Sequence, residues 1–313
     1  MNPTEWATKI QNGDKLALSK AITEIESDSA IGHDILASSF KFTGSAQTIG
    51  FTGSAGAGKS TLVRAVIKEE IARGKKTAVI AIDPSSPFSQ GAILGDRIRM
   101  QDLTNNDLVF IRSMASRKSL GGIASSSVNV MNLFDAAGFD VVIIETVGAG
   151  QDEVDIAKIA QTTVIVANPS SGDEVQSMKS GLMEIGQIFA VNKSDLPGSD
   201  AALAHINSLI ALAGNLKWKP PAMKVIAKNE TGINELVNAI DKHQAFIRQK
   251  DNWNDYRYLM AKKQVESIVK SMTYNELLEK LDNQSVTKKM IENVSEKSTD
   301  PISAAKQIIQ NLK

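Results

Sequence analysis

The chain has 313 residues, 42% of them hydrophobic, with 35 Lys and Arg balanced by 35 Asp and Glu, and no cysteine. That length suffices for a full α/β core with helical additions, while the lack of cysteine excludes disulfides, thiolate metal sites and a cysteine nucleophile. The neutral balance leaves no electrostatic footprint for nucleic acid or an anionic membrane, no apolar run nears the ~20 residues that span a bilayer, and the start lacks the basic-then-apolar order of a signal peptide; a soluble cytoplasmic protein is expected.

Residues 1–45 read as a helical segment separate from the core. Asn2-Pro3 pairs a cap with a proline at the first helical position, and Asp14 can cap a second helix. In that helix Leu16, Ala17, Ala21, Ile22 and Ile25 form an apolar stripe, suited to the parent domain or to a contact surface. Thr48 to Phe51 is then a short buried strand, followed by Gly53-Ser54-Ala55-Gly56-Ala57-Gly58-Lys59-Ser60-Thr61 in the spacing G-x-x-x-x-G-K-S. Leu62, Val63, Val66, Ile67 and Ile71 continue at helical spacing, with Gly74 placed to end the helix. Strand, glycine loop and helix in that order make a P-loop. The glycines let successive backbone N–H groups turn inward around a phosphate, and the helix N-terminus adds its positive dipole end. Lys59 is expected on the β- and γ-phosphates and the Ser60 hydroxyl on Mg²⁺.

Thr77 to Ile82 is a near-continuous apolar run, as in a parallel strand covered on both faces, and it ends at Asp83. Open α/β sheets place ligands at that edge. A second carboxylate, Asp96, follows within Gly91–Arg99, and Leu108 to Ile111 is a further strand candidate. Gly121 to Ser127 is rich in small residues, which suits close backbone approach. Val141 to Ile144 runs into Glu145-Thr146-Val147-Gly148, the D/E-x-x-G pattern of GTPase switches. There Glu145 can hold Mg²⁺ through water and the Gly148 amide can contact a γ-phosphate, releasing the loop upon hydrolysis.

Val164 to Ala167 and Ile188 to Val191 supply two more strands. The second ends in Asn192-Lys193-Ser194-Asp195, an N-K-x-D motif. An aspartate carboxylate accepts from guanine N1–H and the N2 amino group, whereas adenine offers no donors there. GTP and GDP are therefore expected rather than ATP. Val225-Ile226-Ala227-Lys228 parallels the last GTPase element, S-A-K, so Ala227 and Lys228 are expected to bring backbone to the base. Gly232 to Leu236 opens a closing helix with Val237 and Ile240 on its apolar side. From about Asp251 the chain reads as short helices. One carries Val265, Ile268, Val269 and Met272, a second starts at a Thr273/Glu276 capping box and carries Leu277, Leu278 and Leu281, and a last one starts at Asp300-Pro301. Such helices need a partner surface, either the protein's own or a second copy.

These residues together resemble the MeaB/ArgK/MMAA family of P-loop GTPases. The resemblance rests on Asp83 to Phe88, Gly95 to Met100, Arg112-Ser113-Met114, Glu145 to Gln151, Ser171 to Gln176 and Asn192 to Asp195, within a span of about 14–310. It implies a homodimeric GTPase that chaperones an adenosylcobalamin-dependent acyl-CoA mutase of the methylmalonyl-CoA mutase type, gating cofactor loading and protecting the enzyme. It also implies phosphate contacts at Gly56, Gly58, Lys59, Ser60 and Thr61, a Mg²⁺ environment from Ser60, Asp83, Asp96 and Glu145, and guanine recognition by Asn192, Lys193 and Asp195. Lys59, Asp83, Asp96 and Glu145 are the candidate catalytic set. Residues 170–181 resemble a third switch facing the mutase. Ala55, Ser180 and Ile226 depart from the residues frequent in the family, where proline, a second lysine and serine stand.

His33, His205 and His243 are isolated and the cobalamin motif D-x-H-x-x-G is missing, so mutase and cobalamin belong to another polypeptide. Arg97, Arg99 and Gln151 are unranked candidates for orienting water, and a GTPase that is slow alone and stimulated by its mutase is expected. Two alternatives are a kinase linked to arginine/ornithine transport, with Asp83 or Asp96 as base, and a metallochaperone GTPase, which would need the Cys/His clusters this chain lacks. The expected fold is α/β: a P-loop domain over residues 46–250 with a mostly parallel sheet, the N-terminal helical segment 1–45, and a C-terminal helical arm 251–313 that dimerises.

Overall fold

A computed structural model describes residues 2–84, 100, 102–116, 125–146, 152–169, 181–214, 216–282 and 285–311. Seven strands, β1 (Gln47–Thr52), β2 (Thr77–Pro84), β3 (Val109–Ser116), β4 (Val141–Thr146), β5 (Thr162–Ala167), β6 (Ile188–Val191) and β7 (Ala222–Lys224), form one sheet in the order β3-β2-β4-β1-β5-β6-β7. Every neighbouring pair is parallel. The helices are α1 (Pro3–Gln11), α2 (Lys15–Glu26), α3 (Ala30–Ser39), α4 (Lys59–Ala72), α5 (Ser125–Ala136), α6 (Asp152–Asp155), α7 (Leu182–Ile185), α8 (Ser199–Leu212), α9 (Ile233–Ile247), α10 (Lys250–Asp282), α11 (Ser285–Ser295) and α12 (Pro301–Asn311). The expected α/β architecture with a parallel sheet is the one observed.

The strands read as apolar runs because both faces are covered. On one face Ile49, Phe51, Val79 and Ile143 pack with Leu62, Val63 and Val66 of α4 and Leu236, Val237 and Ile240 of α9. On the other, Ala78, Ile80, Val142 and Ile144 pack with Val130, Leu133 and Phe134 of α5. Beyond the centre, Ile165, Phe189 and Val191 meet Ile206 and Ile210 of α8.

The first helices are not separate from this core. Ile10, Leu18, Ala21, Ile22, Ile25 and Ile35 enter the cluster under β2, β4 and α5, because an amphipathic helix beside an uncovered apolar sheet face removes both surfaces from water. The caps are as expected. Asn2 Oδ1 accepts from Glu5 N at 2.8 Å, Asn2 N donates to Glu5 Oε2 at 3.1 Å, and Asp14 Oδ1 accepts from Leu16 N and Ala17 N at 3.0 and 2.9 Å. Leu16, however, is 66% exposed and lies outside the stripe.

The chain divides into two compact units, Met1–Met260 and Ala261–Lys313. Within the second, α11 and α12 pack on each other, and Asp300 Oδ1 caps α12 through Ile302 N and Ser303 N at 2.9 and 3.0 Å. The helix start expected at Thr273 is absent, since α10 runs unbroken from Lys250 to Asp282. No glycine or proline interrupts residues 250–282, and a Thr-x-x-Glu pair inside a helical run does not end the helix that precedes it.

Candidate nucleotide site

A parallel sheet turns all its strand C-termini to one edge, and among the described residues the P-loop follows β1, Glu145 stands near the end of β4, Asn192 to Asp195 follow β6 and Ala227-Lys228 follow β7 there. β1 is central, with Phe51 opposite both Glu145 of β4 and Val164 of β5. The loop that leaves it depends on two glycines. Gly53 has φ 140°, and a Cβ there would lie 2.2 Å from the Val166 carbonyl oxygen. Gly58 has φ 87°, and its Cβ would lie 2.5 Å from Asn192 Nδ2. At Gly53 a side chain would meet backbone and at Gly58 the Asn192 amide that ties the loop, and both dihedrals strain any residue but glycine. Between them Ala57 is buried, Ser54 half-buried, and Ala55 and Gly56 exposed.

Lys59 opens α4 and is only 6% exposed. Its Nζ donates to the carbonyls of Gly53 and Ser54 at 2.5 and 2.8 Å, so the ammonium lies across the loop. Ser60 Oγ donates to Glu145 Oε1 at 2.5 Å. Glu145, next to last in β4 and 3% exposed, thus meets the first turn of α4. A hydroxyl and a carboxylate brought together are hard oxygen donors of the kind Mg²⁺ takes, in the small number it accepts from protein. Thr61 is exposed.

Asn192 does something the sequence reading missed. Its Nδ2 donates to the Ala57 carbonyl at 2.9 Å and reaches the Gly58 carbonyl at 3.4 Å, while its Oδ1 accepts from Ala227 N at 3.1 Å. One buried side chain therefore ties the P-loop to the turn after β7. The position of an asparagine after an apolar strand was legible; which backbone groups it meets depends on three separate strands. Lys193 adds a second tie. Its backbone is left-handed, φ 55°, and its Nζ donates to the Gly56 carbonyl at 2.8 Å. Asp195 and Lys228 are exposed at the same edge, and Ala227 is buried in a 3-10 turn, Ala227–Asn229.

The structure thus brings together Gly53 to Ser60, Glu145, Asn192, Lys193 and Ala227. Asp83 is next to last in β2, opposite Ala115, but its side chain lies outside the described residues, as do Asp96, Gly148, Arg97, Arg99, Gln151 and residues 170–180. Among the described residues no cluster of three or more His, Cys, Asp or Glu is placed to hold a metal ion, and no helix is long and apolar enough to cross a membrane.

Comparison with known proteins fits this geometry. The family described as "Methylmalonyl Co-A mutase-associated GTPase MeaB" matches residues 18–285. A putative GTPase of Pyrococcus abyssi is 42% identical over 272 residues, 86% of this chain and 84% of that protein. The mitochondrial methylmalonic aciduria type A homolog of Caenorhabditis elegans is 33% identical over 230 residues, 71% of this chain and 57% of that protein. A crystal structure of an LAO/AO transport system kinase superposes with a TM-score of 0.75 and 26% identity, over 99% of this chain and 97% of that one. Motifs, fold and relatives converge on one conclusion: the chain belongs to the MeaB family of P-loop GTPases.

Proposed function

We propose that this GTPase serves as the chaperone of an adenosylcobalamin-dependent acyl-CoA mutase carried on another chain, acting as a cytoplasmic homodimer. The observation that carries the reading is the match of a mutase-associated GTPase family over residues 18–285. Exposed Val265, Ile268, Val269 and Met272, in one stripe of α10, support self-association. In the site, the backbone amides of Gly53 to Ser60 cradle the phosphates. Lys59 neutralises charge on the β- and γ-phosphates as the bond from the γ-phosphorus to its bridging oxygen breaks and water supplies the new oxygen. Ser60, Glu145, Asp83 and Asp96 are the proposed Mg²⁺ environment, and the bound ion supplies further stabilisation of the charge that builds on the leaving GDP.

At the base, Asp195 is the group that reads guanine, accepting from N1–H and the N2 amino group. Asn192 and Lys193 hold the surrounding loops, because their polar ends are already bonded to P-loop carbonyls. Ala227 and Lys228 supply backbone on the O6 side.

The test is a pull-down from the source organism's extract with the protein loaded with GDP or a non-hydrolysable GTP analogue. Nucleotide-dependent retention of a cobalamin-dependent mutase subunit is the expected result. Recovery of nothing from an extract that contains a mutase overturns the client assignment and leaves the GTPase. A second reading, phosphotransfer in transport, draws only on the kinase name of the structural neighbour; phosphate appearing on arginine rather than in solution would favour it.

A further inference from the structure

The base-side turn after β7 is closed on itself: Ile226 N donates to the Thr231 carbonyl at 3.0 Å and Thr231 N returns to the Ile226 carbonyl at 3.2 Å. Asn192 holds this turn from the strand side. On its other side stands Glu230, with φ 58°. That left-handed backbone suits glycine and strains a glutamate, so the side chain has a reason to be there. Glu230 Oε1 accepts from Lys68 Nζ at 2.6 Å. Lys68 lies on α4, the helix that Lys59 and Ser60 begin. Arg64, one turn earlier on α4, makes its hydrogen bonds to Asp102, Nε to Oδ1 at 3.1 Å and Nη2 to Oδ2 at 2.5 Å, and among the described residues Lys68 is the α4 cation that bonds Glu230 directly.

We infer that Lys68 and Glu230 are positioning residues: their ion pair fixes the base-side turn, Ala227–Lys228, to the phosphate-binding helix and so sets how long a guanine nucleotide stays bound. The inference rests on the reading that the base docks against Asp195 and this turn. The side chains are 36% and 48% exposed, and a pair at that exposure adds little to fold stability. Its effect is expected on the ligand instead, because the two ends of the nucleotide are held by the two elements the pair joins, and any slack between them is felt only when both ends are engaged.

The experiment measures GDP dissociation by stopped flow, GTP turnover and thermal melting for the wild type, E230G, K68E and the exchange K68E/E230K, with D195N as the control of the underlying reading. Glycine relieves the strain at 230, so E230G should melt within about 2 °C of the wild type. GDP should nevertheless leave it about two- to fivefold faster, the loss falling on KM rather than kcat. K68E, which sets two like charges together, should lose more, and K68E/E230K should return to within about twofold of the wild type. Dissociation from E230G and K68E at the wild-type rate, with D195N weakening guanine binding, overturns the positioning role and leaves the base reading intact. Unchanged guanine selectivity in D195N removes the base reading and this inference together.

Discussion

Helices α2 and α10 carry stripes of similar apolar composition, yet they end in opposite environments. In α2, Ala17, Leu18, Ala21, Ile22 and Ile25 are all 5% exposed or less, and all but Ala17 join the cluster on the face of the sheet beside β2 and β4. In α10, Val265, Ile268, Val269 and Met272 are 43 to 67% exposed. An apolar period states that a helix has a side to cover and says nothing of what covers it. For α2 the cover is this chain; for α10 the proposed cover is a second copy.

The largest test of that contrast is Ile22→Ala. Ile22 is fully buried, and truncation should cost about 2–5 kcal/mol of unfolding free energy in urea titration; a loss near zero would mean that α2 is not part of the core. A second test sharpens the same point by pH. His243 of α9 is buried, with Nδ1 2.8 Å from Thr162 Oγ1 of β5, and burial pushes its imidazole down to about 4 from 6.5. The folded state therefore refuses a proton that the unfolded state accepts below pH 6.5. The stability held above pH 6.5 is lost as pH falls toward 4, by about 3 kcal/mol at most. Subtracting the acid denaturation profile of His243→Gln from that of the wild type should isolate this loss, and parallel profiles would contradict it.

Asn192→Ala comes next. It removes the tie between Ala57 and Ala227 and should weaken GDP binding roughly tenfold, read by fluorescence titration; unchanged affinity would show the two loops to be held independently. The smallest effect on stability is expected for Val269→Asp with Met272→Asp, within about 0.5 kcal/mol. If the dimer proposal holds, the same pair should convert the sedimenting species from dimer to monomer, whereas an unchanged mass would place any self-association elsewhere.

What was legible in the sequence was local. Gly53 and Gly58 bracket the phosphate loop with positive φ, the first packed against the Val166 carbonyl and the second against the Asn192 amide, and glycine at those spacings is visible in one dimension. Asn2, Asp14 and Asp300 cap helices through contacts two or three residues away. What escaped was of two kinds. Strand β7 has three residues, each half-buried at the sheet edge, too short for any period to emerge. The other kind depends on chain brought from afar: Asn192 between Ala57 and Ala227, Glu230 on Lys68, and Lys59 lying back on Gly53 and Ser54. Those contacts turn a string of motifs into a site, and no spacing encodes them.

The most direct measurement is the rate of GTP hydrolysis under single-turnover conditions, alone and at saturating concentration of the mutase recovered by pull-down. A slow basal rate that rises when the mutase is present is the expected result, with Lys59→Ala abolishing both. A rate that stays the same at saturating mutase would contradict a chaperone whose nucleotide site is coupled to its client.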